Sequence, residues 1–306
     1  MPSRSTDTTR IAPALLLAVL VLSGLAPAAF GQTAAAGQRP KTHLIEVDTS
    51  VRLEVLDWGG SGRTLVLLAG LGDTAQVYER FALRFTSHFH VLGITRRGFG
   101  TSSKPPSGYS AESLANDVVS VLDALKIERP VLVGHSVAGE ELSSIGARKA
   151  NRIAALIYLD AAWDRTYVPP QETKKNDGGE FDKVGIPSEP KPDPTRFDPE
   201  AAVRAGVQKP DYAHITVPAL ALYAAPRTWK EMMPDAPDFT KADQVAAADK
   251  VVAQMAKMRQ NMADQFRSGV AKSRVVEIPG ASHYLFKTNE DDVVREMLVF
   301  LRSLNR

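Results

Sequence analysis

Cysteine is absent from this 306-residue chain. That excludes a thiol nucleophile, a zinc–thiolate centre and any disulfide, so packing alone must hold the fold. An excess of either charge is also lacking: 37 Lys and Arg stand against 35 Asp and Glu, a formal net charge of +2. Such a balance offers no basic field to nucleic acid and no acidic tail. The six histidines form no set at metal-ligand spacing. His88 and His90 share one face of an extended segment without a third ligand nearby, and His43 and His214 have no chemical context. No internal repeat is visible. What remains is an ordinary globular composition, 44% hydrophobic and 24% charged, on a chain long enough for one large α/β domain or two small ones.

The longest hydrophobic run lies at the N-terminus. Arg4 and Arg10 precede the apolar stretch Ile11 to Leu25, and Ala29-Phe30-Gly31 follows as a small-residue cleavage site. This three-part layout reads as a secretory signal peptide over 1–31, implying export to the periplasm or the medium. The alternative is an uncleaved anchor, since Ile11 to Ala29 nearly reaches the ~20 residues of a membrane span. Pro13, Pro27 and the small-residue tail favour cleavage, and no stable membrane insertion is expected afterwards. Residues 32–40 read as a flexible lead-in to a domain over 41–306.

Along that domain, Thr42 to Val47 and Val51 to Trp58 alternate apolar and polar residues around Asp48-Thr49-Ser50, which predicts a β-hairpin. Further strands follow at Thr64 to Ala69, a continuous apolar run, and at Phe89 to Thr95, Val131 to Gly134, Ile153 to Leu159, Val217 to Tyr223 and Arg274 to Ile278. Runs of this kind suit strands buried on both faces. Helices are expected between them: Ala75 to Phe85; Ser110 to Leu125, with Ser110 as N-cap; Val137 to Lys149; and Asn289 to Leu304, with acidic residues in its first turn. The alternation implies a mostly parallel sheet of about eight strands covered on both sides. Two segments depart from it. Residues 165–212 hold eight prolines and read as a lid-like excursion. Residues 228–270 read as helical, with Met255, Met258 and Met262 on one face. Such a stripe suits core packing, or an acyl pocket that exploits methionine's adaptable shape.

The stretch Val131-Leu132-Val133-Gly134-His135-Ser136-Val137-Ala138-Gly139 carries the clearest chemistry. A buried strand runs into a serine flanked by small residues, with a helix behind it. This is the pattern of a nucleophile elbow, in which the serine stands at the tip of a strained turn and crowding admits only small residues two positions away. Gly134 and Ala138 satisfy that rule, Ala138 standing where glycine is usual. A serine hydroxyl needs a base. His283, in Pro279-Gly280-Ala281-Ser282-His283 after the last strand, is the candidate. His135 adjoins the serine, but its side chain is expected on the opposite side of the turn.

With the hairpin, the β-α-β alternation, the elbow and the late histidine, the chain resembles the α/β-hydrolase superfamily, its serine esterase and lipase-like members in particular. The likeness runs from Thr42 to Leu304, apart from the two variable segments. Leu68-Ala69-Gly70-Leu71-Gly72 resembles the loop after the third strand, and Arg96-Arg97-Gly98-Phe99-Gly100-Thr101-Ser102 the turn after the fourth. The resemblance implies an oxyanion hole from the backbone N–H groups of Val137 and Leu71. A frequent His-Gly pair is Ala69-Gly70 here, which removes a side chain and not a donor. In many relatives the third triad member follows the seventh strand, where this chain has Arg227. Other relatives carry it at the end of the sixth strand, where Asp160 stands. The triad implied is therefore Ser136, His283 and Asp160, with Asp164, Asp235 and Asp238 as rivals for the acid.

The expected activity is hydrolysis of a small or medium apolar carboxylic ester through an acyl-enzyme, with no cofactor and no metal. Amide, lactone or carbon–carbon hydrolysis and cofactor-free perhydrolysis use the same triad, and a non-catalytic ligand-binding member of the fold is the reading from another class. A serine at the elbow argues against haloalkane dehalogenase and epoxide hydrolase chemistry, which place a carboxylate there. Arg97 and Gly98 are expected to shape a turn beside the site. Glu140 and Glu141 have a sufficient explanation in the dipole of the helix they begin.

Overall fold

The computed structural model describes residues 39–167, 184, 196–236, 238–239 and 241–304. The segment read as a signal peptide, most of the lead-in, and 168–183 and 185–195 of the proline-rich excursion lie outside the described residues.

The hairpin forms as β1 (Lys41–Asp48) and β2 (Val51–Gly59), paired antiparallel. The remaining strands are β3 (Thr64–Leu68), β4 (His90–Ile94), β5 (Val131–His135), β6 (Ala155–Leu159), β7 (Ala219–Ala225) and β8 (Ser273–Pro279). All eight join one sheet in the order β1-β2-β4-β3-β5-β6-β7-β8. β2 meets β4 antiparallel, and every pairing from β4 to β8 is parallel. The mostly parallel, doubly covered sheet anticipated from the apolar strands is thus the architecture.

Alternate residues of the central strands explain the two covered faces. Val66, Leu68, Leu132, Leu156, Tyr158, Ala221 and Tyr223 enter one core. Leu65, Leu67, Val131, Val133, Ile157, Leu159 and Leu222 enter the other. The first core is closed by helices α2 (Ala111–Ala124) and α3 (Gly139–Arg148) and by the long helix α6 (Ala242–Gly269). The second is closed by the segment around α1 (Glu79–Leu83) and by the C-terminal helix α8 (Glu290–Ser303). Ser110 caps α2, accepting from the Ser113 N–H at 3.2 Å. The remaining helices are short: α4 (Pro199–Ala205), α5 (Trp229–Met232) and α7 (Leu285–Thr288). The expected helix over Ala75 to Phe85 begins as a 3₁₀ turn, Ala75–Tyr78, before becoming α1.

The methionine stripe on α6 is divided. Met262 is buried in the first core and Met258 packs against it, whereas Met255 packs with Trp229, Met232 and Val251 in a separate cluster. Among the described residues no helix is long and apolar enough to cross a membrane.

Strand order locates the site. β3 leads to β4 on one side of it, and the chain then returns to place β5 on the other. Loops leaving the C-terminal ends of β3 and β5 therefore diverge and leave a crevice, the place where open α/β sheets bind ligands.

Candidate active site

Ser136 directly follows β5 and adopts φ 54°, a left-handed conformation that costs a non-glycine residue roughly 1–3 kcal/mol. The crowding expected of an elbow is present: a Cβ on Gly134 would lie 2.9 Å from Leu142 Cδ1 and 3.1 Å from Ala138 Cβ. Behind the serine a single 3₁₀ turn, Ser136–Ala138, leads into α3. Val137 and Leu71 are both buried and share one small apolar cluster with Phe99, Tyr109, Leu114 and Val203. The two expected oxyanion donors thus lie on loops from adjacent strands, β3 and β5.

β5 and β6 pair with His135 opposite Leu159, so Ser136 and Asp160 leave neighbouring strands at the same level. Asp160 also has a positive φ, 46°. Its backbone is fixed by Asp160 N–H to Leu222 O at 2.7 Å and by Trp163 Nε1–H to Asp160 O at 3.0 Å. Its Oδ1 accepts from the Ala224 N–H at 3.2 Å, and its Oδ2 lies 2.7 Å from His283 Nδ1. A carboxylate can only accept here, so Nδ1 carries a proton, and in the neutral imidazole Nε2 is then the nitrogen with the lone pair. That Nε2 is buried and has no hydrogen-bond partner among the described residues, so Ser136 Oγ and His283 Nε2 do not share a hydrogen bond in this structure.

The rival carboxylates stand apart from His283. Asp164 is buried but accepts from the N–H and hydroxyl of Thr166 at 2.9 and 2.6 Å. Asp235 is exposed, and the exposed Asp238 lies 3.2 Å from Lys230. Arg227, beyond β7, pairs with Glu231 at 2.7 Å.

His135 has contacts that its neighbours in sequence do not announce. Its ring packs against the rings of His283 and Tyr284, with centroids 4.5 and 4.8 Å away, and its Nε2 lies 3.0 Å from the His283 carbonyl. A carbonyl only accepts, so Nε2 is the protonated nitrogen. Burial, reinforced by the neighbouring His283, pushes the His135 pKa well down and keeps this ring neutral. The histidine loop is tied a second time by Tyr284, whose hydroxyl donates to Asp73 Oδ2 at 3.0 Å. The strand residue before a nucleophile alternates to the other face of the sheet. Nothing in the local sequence shows that a loop from β8 passes beneath it.

The acidic pair in the first turn of α3 does more than face the helix dipole. Both carboxylates are buried. Glu141 Oε1 receives Arg96 Nε–H at 2.6 Å. Glu140 Oε2 accepts the Gln208 N–H at 2.9 Å, while Arg165 Nη1 lies 3.8 Å from its Oε1. Burial raises the Glu140 pKa to about 7, with the Arg165 charge opposing the rise. Arg97 forms a forked pair with Asp117 of α2, at 2.7 and 2.6 Å, and its Nη1 donates to Ser107 O at 3.2 Å. His90 bonds Asp57 at 2.9 Å, and no group of metal-ligating side chains occurs among the described residues.

A mostly parallel sheet with divergent loops at one edge, a strained serine at the tip of β5 and a histidine held by a carboxylate from β6 mark one class of α/β protein. Residues 65–296 match the model of the alpha/beta hydrolase family, and the chain belongs to that family. Among curated proteins it is similar to a putative non-heme haloperoxidase of Mycobacterium phage D29, 36% identical over 104 residues, covering 34% of this chain and 37% of the relative. It is also similar to epoxide hydrolase A of Mycobacterium tuberculosis, 34% identical over 140 residues and 44% of each chain. These matches span less than half of the relatives' lengths. A thermophilic esterase from Thermogutta terrifontis shares the fold, with a TM-score of 0.60 at 18% identity over 87% of this chain and all of that one.

Proposed function

We propose that this protein is a serine hydrolase that cleaves small or medium apolar carboxylic esters through an acyl-enzyme. The observation that carries the reading is the bond of 2.7 Å from His283 Nδ1 to Asp160, which makes the buried, unpartnered Nε2 the nitrogen free to act as base in the neutral imidazole. In the proposed mechanism Ser136 Oγ turns onto Nε2 as substrate binds; such hydrogen bonds are commonly loose without substrate. Oγ attacks the ester carbonyl and its proton passes to His283, whose charge Asp160 stabilises. The N–H groups of Leu71 and Val137 receive the developing oxyanion. Collapse releases the alcohol, protonated by His283. Water, deprotonated by the same imidazole, then frees the acid and restores Ser136. No step calls on a cofactor.

The name of the phage relative favours a second reading on the same residues, perhydrolysis, in which hydrogen peroxide replaces water at the acyl-enzyme. The elbow serine speaks against epoxide opening, since an ester formed on a carboxylate has no counterpart here.

The test is labelling with a fluorophosphonate probe, followed by turnover of p-nitrophenyl esters of graded chain length. Wild type is expected to label, and Ser136→Ala to lose both labelling and turnover. An unlabelled, inactive wild type would favour the ligand-binding reading. Export after removal of residues 1–31 is part of the proposal, and N-terminal sequencing of secreted protein checks it.

A further inference from the structure

One buried guanidinium joins the loop that carries Leu71 to the helix that follows Ser136. Arg96 follows β4 and is only 7% exposed. Its Nη2 donates to Ala69 O at 3.0 Å and its Nη1 to Gly70 O at 3.2 Å. Its Nε donates to Glu141 Oε1 at 2.6 Å. Ala69 and Gly70 form the loop leaving β3. Glu141 lies on α3, five residues beyond Ser136.

The Gly70 carbonyl and the Leu71 N–H belong to one peptide unit. No peptide bond among the described residues is cis, so the two groups point in opposite directions. A donor holding the carbonyl therefore fixes the direction of the N–H. Rotation of this plane would turn the N–H away from the substrate and break a charge-assisted hydrogen bond in a buried place. The loop also lies close to the nucleophile: a Cβ on Gly70 would stand 3.4 Å from Ser136 Cβ. Glu141 supplies the other anchor. It ties the same guanidinium to the helix whose preceding turn carries Val137.

We propose that Arg96 is a positioning residue for the oxyanion site, holding the Gly70–Leu71 peptide so that the Leu71 N–H faces the reacting carbonyl, with Glu141 as its anchor on the nucleophile helix. The proposal rests on the serine-hydrolase reading. It makes Arg96 act through the peptide, without touching substrate. Lysine cannot replace it, because an ammonium is a point charge and cannot fork between two carbonyls while reaching the carboxylate. Donation to Gly70 O also polarises the amide and strengthens its N–H as a donor.

The test compares wild type, Arg96→Lys and the double variant Arg96→Met/Glu141→Leu, which removes both charges together and leaves no lone buried carboxylate. Three quantities are read: melting temperature, kcat and KM for p-nitrophenyl acetate, and the inhibition constant of an aryl trifluoromethyl ketone. That ketone adds reversibly to the serine and leaves a negative oxygen where the oxyanion would sit. Removing one oxyanion donor typically costs about 10²–10³ in kcat. The double variant is expected to lose kcat up to that range with KM within about threefold. Its inhibition constant should rise by the factor that kcat/KM falls. Arg96→Lys should lose about tenfold with the same split, and it carries the test if the double variant does not fold. A folded variant with wild-type kcat, or one whose lost activity leaves ketone binding unchanged, overturns the proposal. A wild type that neither labels nor turns over overturns the function reading instead.

Discussion

Asp160→Asn isolates what the carboxylate does for His283. Asp160 uses both oxygens, Oδ1 on the Ala224 N–H at 3.2 Å and Oδ2 on His283 Nδ1 at 2.7 Å. Asparagine can keep the first bond through its carbonyl. Its amide group then faces Nδ1, and two donors cannot pair. The imidazole must present Nδ1 as acceptor and carry its proton on Nε2, so the base lone pair is lost. The variant also loses the attraction between carboxylate and imidazolium, about 4 kcal/mol at 4 Å and an effective dielectric of 20. The same change in a well-studied serine protease lowers kcat by about 10⁴, equivalent to about 5 kcal/mol. Turnover of p-nitrophenyl acetate is therefore expected to fall by about three to four orders of magnitude. Stability should hardly change, because asparagine tolerates the left-handed φ of 46° at this position. The control is Asp235→Asn, on an exposed carboxylate, which should leave turnover intact. A folded Asp160→Asn enzyme with near-normal turnover, together with loss in Asp235→Asn, would assign the acid elsewhere and refute the reasoning.

Two further predictions concern stability. The Glu140 pKa is raised from 4.5 to about 7, chiefly by burial, so its contribution is complete below pH 4.5 and is lost as pH rises through about 7. A shift of that size corresponds to about 3 kcal/mol. Glu140→Gln lacks the titration, so wild type should lose stability relative to it between pH 5 and pH 8 in urea titrations; parallel curves would contradict this. Gly139→Ala should destabilise by about 3 kcal/mol, at the upper end of ordinary overpacking, because the new Cβ would stand 1.9 Å from Ala161 O. An unchanged melting temperature would mean that the elbow relaxes more freely than its packing implies.

Much of the fold is written in short stretches of chain. Runs of four to seven residues, most of them largely apolar, became β3 to β8, and the alternating segments flanking Asp48-Thr49-Ser50 became the hairpin. Ser110 announced the start of α2. The small-residue rule around Ser136 is equally local, since Gly134 and Ala138 crowd each other across one turn. Where the sequence offered only a flanking context, it told part of the story. Glu140 and Glu141 are helix-start acids, and they are also buried against Arg165, Gln208 and Arg96. His135 is turned away from the serine, and there its ring packs against His283.

Sequence by itself determined which residues could form a strand, a turn or a strained elbow, because those preferences depend on neighbours a few positions away. It could not determine which of several aspartates meets His283, or which arginine reaches the Gly70 carbonyl. Those pairings join residues 123 and 26 positions apart. They were decided by the order and register of parallel strands, which bring remote loop ends to one edge of the sheet, where burial makes each contact specific.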